Sequence, residues 1–261
     1  MFQASATPTA HACHVPPFSP IAAPRSYADS DSAYDGRGQA MAGTRIGVLG
    51  TGMVGQTLAK RLADVGYDVM VGARSRDSDS LAAFAETDRL ATGSFEDAAA
   101  FGEIVLNATN GSHALEALSM AGAENLAGKP VIDVTNDLEP VEGGYPKPRA
   151  TADSSLGQTL QDAFPDAHVV KTLNTMNCQV MADPSIVEGD HVVFMSGNDD
   201  AAKRTVSAML ADFGWRPQQI VDLGGIETAA APEMMMSAWM RVRIARGMDA
   251  PPFNWAIHSG T

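Results

Sequence analysis

The stretch Arg45–Arg76, RIGVLGTGMVGQTLAKRLADVGYDVMVGARSR, decides how the rest of the chain is read. Arg45–Leu49 is a short apolar run that suits a buried strand. It enters a turn with glycine at 50, 52 and 55, the spacing G-x-G-x-x-G. Met53–Val65 follows as an amphipathic helix with Leu58, Leu62 and Val65 on one face. Asp68–Gly72 is a second apolar strand, and the chain leaves it through Ala73-Arg74-Ser75-Arg76.

Each glycine answers a physical need. Gly50 allows the tight turn out of the strand, Gly52 lets the backbone approach a pyrophosphate, and Gly55 lets the helix pack closely on the strand. The amides of Met53 and Val54 then point from a helix N-terminus, where the dipole favours negative charge. Because the turn follows a strand, opens a helix and precedes a second strand, it indicates a dinucleotide. The end of that second strand indicates which one. An NAD site usually places Asp or Glu there, and a carboxylate would repel a 2′-phosphate. Here Arg74 and Arg76 can pair with the phosphate and Ser75 can donate a hydrogen bond, which favours NADP.

Downstream, Ser78–Glu86 reads as helical with Leu81 and Phe84 inward, and Ser94 as the cap of a helix over Phe95–Ala100. Strands are expected at Ile104–Asn107, Val131–Val134, His168–Leu173, Val192–Met195 and Gln219–Asp222. Helices are expected at about 112–121, 155–164 and 200–213. Near-continuous apolar strands alternating with helices imply an α/β fold, Rossmann-like and doubly wound, with a mainly parallel sheet. Residues 44–224 form the dinucleotide-binding domain, and 225–261 form a short C-terminal helical extension of the same compact unit. Residues 1–43, rich in Ala, Ser, Pro and Asp without periodicity, are expected to be a disordered tail. Met41 stands just before the first strand, so translation starting there would leave residues 1–40 out of the native protein.

The net charge of −13 over 261 residues argues against nucleic acid and anionic membranes as partners. No apolar run reaches the length of a membrane span. Prolines 16, 17, 20 and 24 interrupt the N-terminal apolar content, and no signal peptide is legible. Of the two cysteines, Cys13 and Cys178, the first falls in the tail, so a structural disulfide is not expected and a cytoplasmic location is. His11 and His14 beside Cys13 lack a second ligand pair, and no metal site is expected.

In an open parallel sheet, ligands bind beyond the carboxyl ends of the strands. Those ends read Asn107-Ala108-Thr109-Asn110, Val134-Thr135-Asn136 and Leu173-Asn174-Thr175-Met176-Asn177. Asn and Thr are good turn formers. Three such segments at successive strand ends also suit a nicotinamide, its ribose and a neutral planar acceptor. Proton donors are few. Lys171 lies inside a strand, where its side chain can point away from the site. His113 begins a helix, Tyr145 sits in the Gly/Pro loop Glu142–Arg149, which reads as a lid or as a solvated connection, and Cys178 reads as a small buried residue. No catalytic residue is assigned, and the chemistry reads as hydride transfer by positioning.

The segments IGVLGTGMVGQTLAKRL, VGARS, VIDVTND, VVKTLNTMN and VVFMSGNDDAAKRTVSAML resemble the deazaflavin-dependent NADP reductases, the NADP oxidoreductase, coenzyme F420-dependent, family. The resemblance spans roughly residues 45–255, a chain of single-domain size. It implies hydride transfer between NADP and a deazaflavin without an obligatory side-chain acid. By position it implies that Thr51, Met53 and Val54 hold the pyrophosphate, and that Arg74, Ser75 and Arg76 hold the 2′-phosphate. Asn107, Thr109, Thr135 and Asn136 would line the nicotinamide half, and Asn174, Thr175 and Met176, with the adjoining Asn177, would face coenzyme F420. The sequence departs from the family at 174–177, where archaeal members carry a His-Thr-Ile-Pro-like segment, and in the C-terminal helices. Both departures touch the acceptor side.

Two other readings remain. One is a carbonyl or imine reductase, but such proteins append a long helical domain with a catalytic lysine, and here Lys203 is the last lysine. The other is a redox-sensing module that binds NADP without turnover. The Met-rich segment Met234–Met240 reads as core or as a subunit contact, and a homodimer is expected.

Overall fold

A computed structural model describes residues 43–84 and 87–260. The expected disordered tail, 1–43, therefore lies outside the described residues up to position 42.

Strand β1 (Arg45–Leu49) leads into α1 (Met53–Asp64), β2 (Asp68–Ala73), a 3-10 turn at Asp79–Ala83 and β3 (Leu90–Ser94). Next come α2 (Phe95–Phe101), β4 (Ile104–Asn107), a 3-10 turn at Gly111–His113, α3 (Ala114–Ala121), α4 (Ala123–Leu126) and β5 (Pro130–Asp133). A hairpin of β6 (Leu138–Glu139) and β7 (Lys147–Pro148) precedes α5 (Leu156–Ala163), β8 (His168–Thr172) and α6 (Cys178–Ala182). The chain continues through β9 (Val193–Gly197), α7 (Asp200–Phe213), β10 (Ile220–Asp222), α8 (Ala230–Met234) and α9 (Met236–Arg246).

Eight strands form one sheet in the order β10-β9-β8-β5-β4-β1-β2-β3. From β3 across to β8 every pairing is parallel, as in Ile46 opposite Val69 and Ile104. The β8–β9 pair is antiparallel, so β9 and β10 run against the rest. The sheet is thus Rossmann-like and mainly parallel, with two reversed strands at one edge.

The two-residue period of β1 sends Ile46 and Val48 to one face and Leu49 to the other. On the first face they meet Leu58 and Leu62 of α1, with Tyr67, Leu210 and Trp215 completing that core. On the second, Leu49 packs among Val105, Leu118, Leu160 and Val169, joined by Ile226 and Ala229 from the C-terminal extension. Each fully buried Leu or Ile contributes about 1.5–3 kcal/mol, so this two-sided burial outweighs the weak intrinsic preference of any one strand.

Three local expectations change. Of the helix expected over 78–86, Asp79–Ala83 forms a 3-10 helix with Leu81 buried and Phe84 packed against the core, and residues 85 and 86 lie outside the described residues. Leu90–Ser94, read only for its capping serine, is the parallel edge strand β3, while Ser94 does cap α2 through a capping box with Asp97. The Glu142–Arg149 segment is not all loop: it holds both the β6–β7 turn and strand β7 itself, and Tyr145 in the turn is exposed. Beyond α9 the chain returns to the sheet end: Val192 N–H donates to the Trp255 carbonyl at 2.8 Å, and Trp255 Nε1 donates to the Thr175 carbonyl at 3.2 Å.

Candidate functional site

The sheet order reverses at β1, with β2 on one side and β4 on the other, and a cleft of about 460 Å³ opens at their carboxyl ends. Gly50, at φ +116°, turns the chain out of β1, and its N–H donates to the Gly72 carbonyl at 3.1 Å. A Cβ on Gly55 would stand 2.0 Å from the Gly50 carbonyl oxygen, so only glycine lets α1 approach this closely. A Cβ on Gly52 would meet nothing within 4 Å, which leaves the open side of the turn free for a ligand. Gly52 offers no side-chain cap to α1, and no acidic residue occupies its first turn. The first amides of α1, those of Met53 and Val54 among them, are available to an anion, and the Gly-rich turn fits a pyrophosphate. Gln56 Nε2 braces the turn by donating to the Thr51 carbonyl at 2.9 Å.

At the end of β2 the three expected phosphate ligands part company. Arg74 lines the cleft. Ser75 also holds the turn, its hydroxyl oxygen accepting from Asp77 N–H at 3.2 Å and its carbonyl from Ser78 N–H at 3.1 Å. Arg76 is engaged by both oxygens of Asp97, with Nε 2.5 Å from Oδ2. The guanidinium of Arg76, helped by the Ser94 amide, holds the Asp97 carboxyl well below the usual carboxylate range. Arg76 thereby ties the β2 loop to the start of α2, and Arg74 is left facing the cleft. Sequence reasoning missed Ser78 and Ser80, which also line the cleft; Ser80 Oγ accepts from Thr51 Oγ1 at 2.8 Å. The serine-rich run after Arg74 was the available signal.

A second cavity of about 510 Å³ shares Met53, Val54, Ala108, Thr109 and Asn110 with the first, so the two are continuous. Thr135, Asn136, Asn174, Met176 and Asn177 line it as expected. Two expected residues do not. Asn107 is fully buried beneath the floor, and Thr175 is buried with its carbonyl held by Trp255. Asn136 and Asn174 clasp each other: Asn136 Nδ2 donates to the Asn174 carbonyl at 2.8 Å, and Asn174 Nδ2 donates to Asn136 Oδ1 at 2.9 Å. Just before this clasp Leu173 sits at φ +62°, a conformation that costs a non-glycine residue about 1–3 kcal/mol and is held by complete packing of its side chain. The far wall is Met181, Met236 and Trp239, with Cys178 beside them. Among the described residues no charged side chain lines this half.

The charge lies under the floor. Lys171 Nζ, fully buried, stands 2.8 Å from Asp133 Oδ2, 2.9 Å from Glu233 Oε1 and 2.5 Å from the Thr135 carbonyl. Burial pulls the ammonium pKa down, but the two carboxylates outweigh it and hold the pKa above its ordinary value. Glu233 in turn accepts N–H bonds from Leu156 at 2.8 Å and Gly157 at 3.0 Å, which places its charge at the N-terminus of α5. Among the described residues no cluster of metal-ligating side chains occurs.

Comparison with known proteins places this geometry. Residues 45–137 match the family model described as NADP oxidoreductase coenzyme F420-dependent. A crystal structure of a candidate F420-dependent NADP-reductase from Arthrobacter sp. FB24 is 42% identical, with a TM-score of 0.77, covering 83% of this chain and 100% of that one. An imine reductase from Streptomyces aurantiacus shares the fold at 18% identity and a TM-score of 0.54, over 77% of this chain and 63% of that one. Metalloreductase STEAP3 of Rattus norvegicus is 31% identical over 202 residues, 75% of this chain, and the chain spans 38% of its length.

Proposed function

Because the chain belongs to the coenzyme F420-dependent NADP oxidoreductase family, we propose that it moves a hydride between NADP(H) and a neutral deazaflavin or flavin-like acceptor. The observation that carries this reading is the continuity of the two cavities across Met53, Val54 and Thr109: a Gly-rich, Arg74-bearing half opens directly into an uncharged, methionine- and amide-lined half. Bound NADP supplies the nicotinamide that carries the hydride. The Gly50–Gly55 turn would hold its pyrophosphate, and Arg74 with Ser78 and Ser80 its adenosine phosphate. The Asn136–Asn174 clasp fixes the floor, while Met176, Met181, Met236 and Trp239 would exclude water from a bound ring. Direct hydride transfer needs no proton at the reacting carbon, which suits a wall without an acid or base. A carbonyl or imine reductase would need such a donor.

Mixing the purified protein with NADPH and an oxidised deazaflavin should lower the absorbance of both together, one for one. Tight NADPH binding without turnover would replace this reading with a binding module that senses the cofactor.

A further inference from the structure

Resting on the reading that the floor receives a nicotinamide, we propose that Asp133, paired with Lys171, is a positioning residue that turns the Thr109 and Thr135 hydroxyls into hydrogen-bond acceptors. The site then selects a ligand edge that offers N–H donors, as a primary carboxamide does.

The polarity follows from a chain of bonds with one consistent direction. Lys171 donates to Asp133 Oδ2 and to the Thr135 carbonyl. Asp133 Oδ1 accepts three bonds: from Asn107 Nδ2 at 3.1 Å, from Thr135 N–H at 3.2 Å and from Thr135 Oγ1 at 2.7 Å. A carboxylate only accepts, so the single proton of the Thr135 hydroxyl is spent inward. The Asn107 amide has one possible orientation, because Asp133 requires its NH₂ and the Thr109 backbone N–H, at 3.3 Å, requires its oxygen. Asn107 Oδ1 therefore also receives the Thr109 hydroxyl proton, at 2.7 Å. Both hydroxyls keep only lone pairs for a ligand. Thr109 lies where the two cavities meet and Thr135 on the floor of the second. The neutral Asn and Thr side chains at the strand ends thus carry a sign set by a buried charge pair that does not line the cavity.

The test compares NADP+ with its 3-acetylpyridine analogue, which keeps the carbonyl oxygen and replaces the NH₂ with a methyl group. Calorimetric titration of the full-length protein should show the carboxamide form binding about tenfold or more tighter, the value of one satisfied acceptor. Thr109→Val and Thr135→Val should each bring the ratio toward parity, and Thr109→Ser should restore it. Asp133→Asn keeps an oxygen toward Lys171 and turns an NH₂ toward Thr135 Oγ1, which frees the Thr135 hydroxyl proton for the ligand while Asn107 stays fixed by the Thr109 N–H, so the ratio should fall toward parity. If that variant fails to fold, the threonine variants decide. Equal binding of the two forms by the unaltered protein, or a ratio that survives both valine substitutions, overturns this proposal alone. Failure of either dinucleotide to bind overturns it together with the reading of the cleft.

Discussion

Gly52→Ala is expected to leave the protein folded while lowering NADPH affinity about a hundredfold, or about 2.7 kcal/mol. Gly52 has φ −73° and ψ −179°, a backbone conformation that alanine adopts without strain. Its Cβ would meet nothing within 4 Å, so the ligand-free protein loses nothing. Stability should change by less than about 1 kcal/mol, because alanine narrows the unfolded ensemble but is the poorer N-cap residue for α1. The added methyl would stand where the turn offers its amides, and would hold a pyrophosphate off them. Gly55→Ala is the contrast. Its Cβ would lie 2.0 Å from the Gly50 carbonyl oxygen, and the turn cannot retreat because Gly50 N–H is bonded to Gly72. That variant should lose stability, by about 1–3 kcal/mol as overpacked sites do, as well as binding. Thermal unfolding beside a fluorescence titration of NADPH separates the two. An unchanged affinity in Gly52→Ala would remove the Gly-rich turn from the site.

Lys171→Met is expected to be the most destabilising single change in the site region. It leaves the Asp133 and Glu233 carboxylates buried without their cation, a loss of about 3–5 kcal/mol for a broken buried pair. For a chain of this size that lowers Tm by about 6–20 °C. The sign of the pH effect is fixed. An unpaired buried carboxylate has a folded pKa above its unfolded value, so it destabilises at neutral pH and stops doing so once protonated. The deficit should therefore narrow as pH falls toward about 5. Adding Glu233→Gln should recover only part of the loss, since one unpaired charge is gone but the amide oxygen keeps just one of the two N–H bonds at the start of α5. A Tm unchanged by Lys171→Met would show that the ammonium contributes nothing to holding the strand ends.

The contrast between these positions shows what could be read from the sequence. The Gly50–Gly55 turn, α1 and β2 are local, and their periodicity and spacing carry the reading. Strand β3 was missed because LATGS is neither alternating nor strongly apolar; it becomes a strand by pairing along β2 from Val69 to Ala73. The reversal of β9 has no local signature at all. It is visible in the antiparallel register that sets Val170, Lys171 and Thr172 opposite Gly197, Ser196 and Met195. Arg74 and Arg76 look equivalent in sequence. Asp97, some twenty residues on, separates them by engaging Arg76. Asn107 and Thr175 stand at strand ends, but Asn107 is buried and braces Thr109 from below, and Thr175 is buried with its carbonyl tied to Trp255. Lys171 did leave a signal. A lone lysine in the apolar strand HVVKT and a lone aspartate in PVID, on neighbouring strands, each need a buried partner of opposite charge. Glu233 is likewise a lone charge, in the apolar run AAAPEMMM, but nothing local ties it to Lys171 on β8.

In the proposed reading, the cleft at the β1–β4 switch recognises a phosphorylated dinucleotide through Arg74. Paired titrations of the unaltered protein and Arg74→Ala with NADPH and NADH test it most directly. The prediction is that the unaltered protein prefers NADPH and that Arg74→Ala weakens NADPH by about tenfold or more, the value of a charge-assisted bond, while NADH changes little. Equal losses for both nucleotides, or no preference in the unaltered protein, would contradict it.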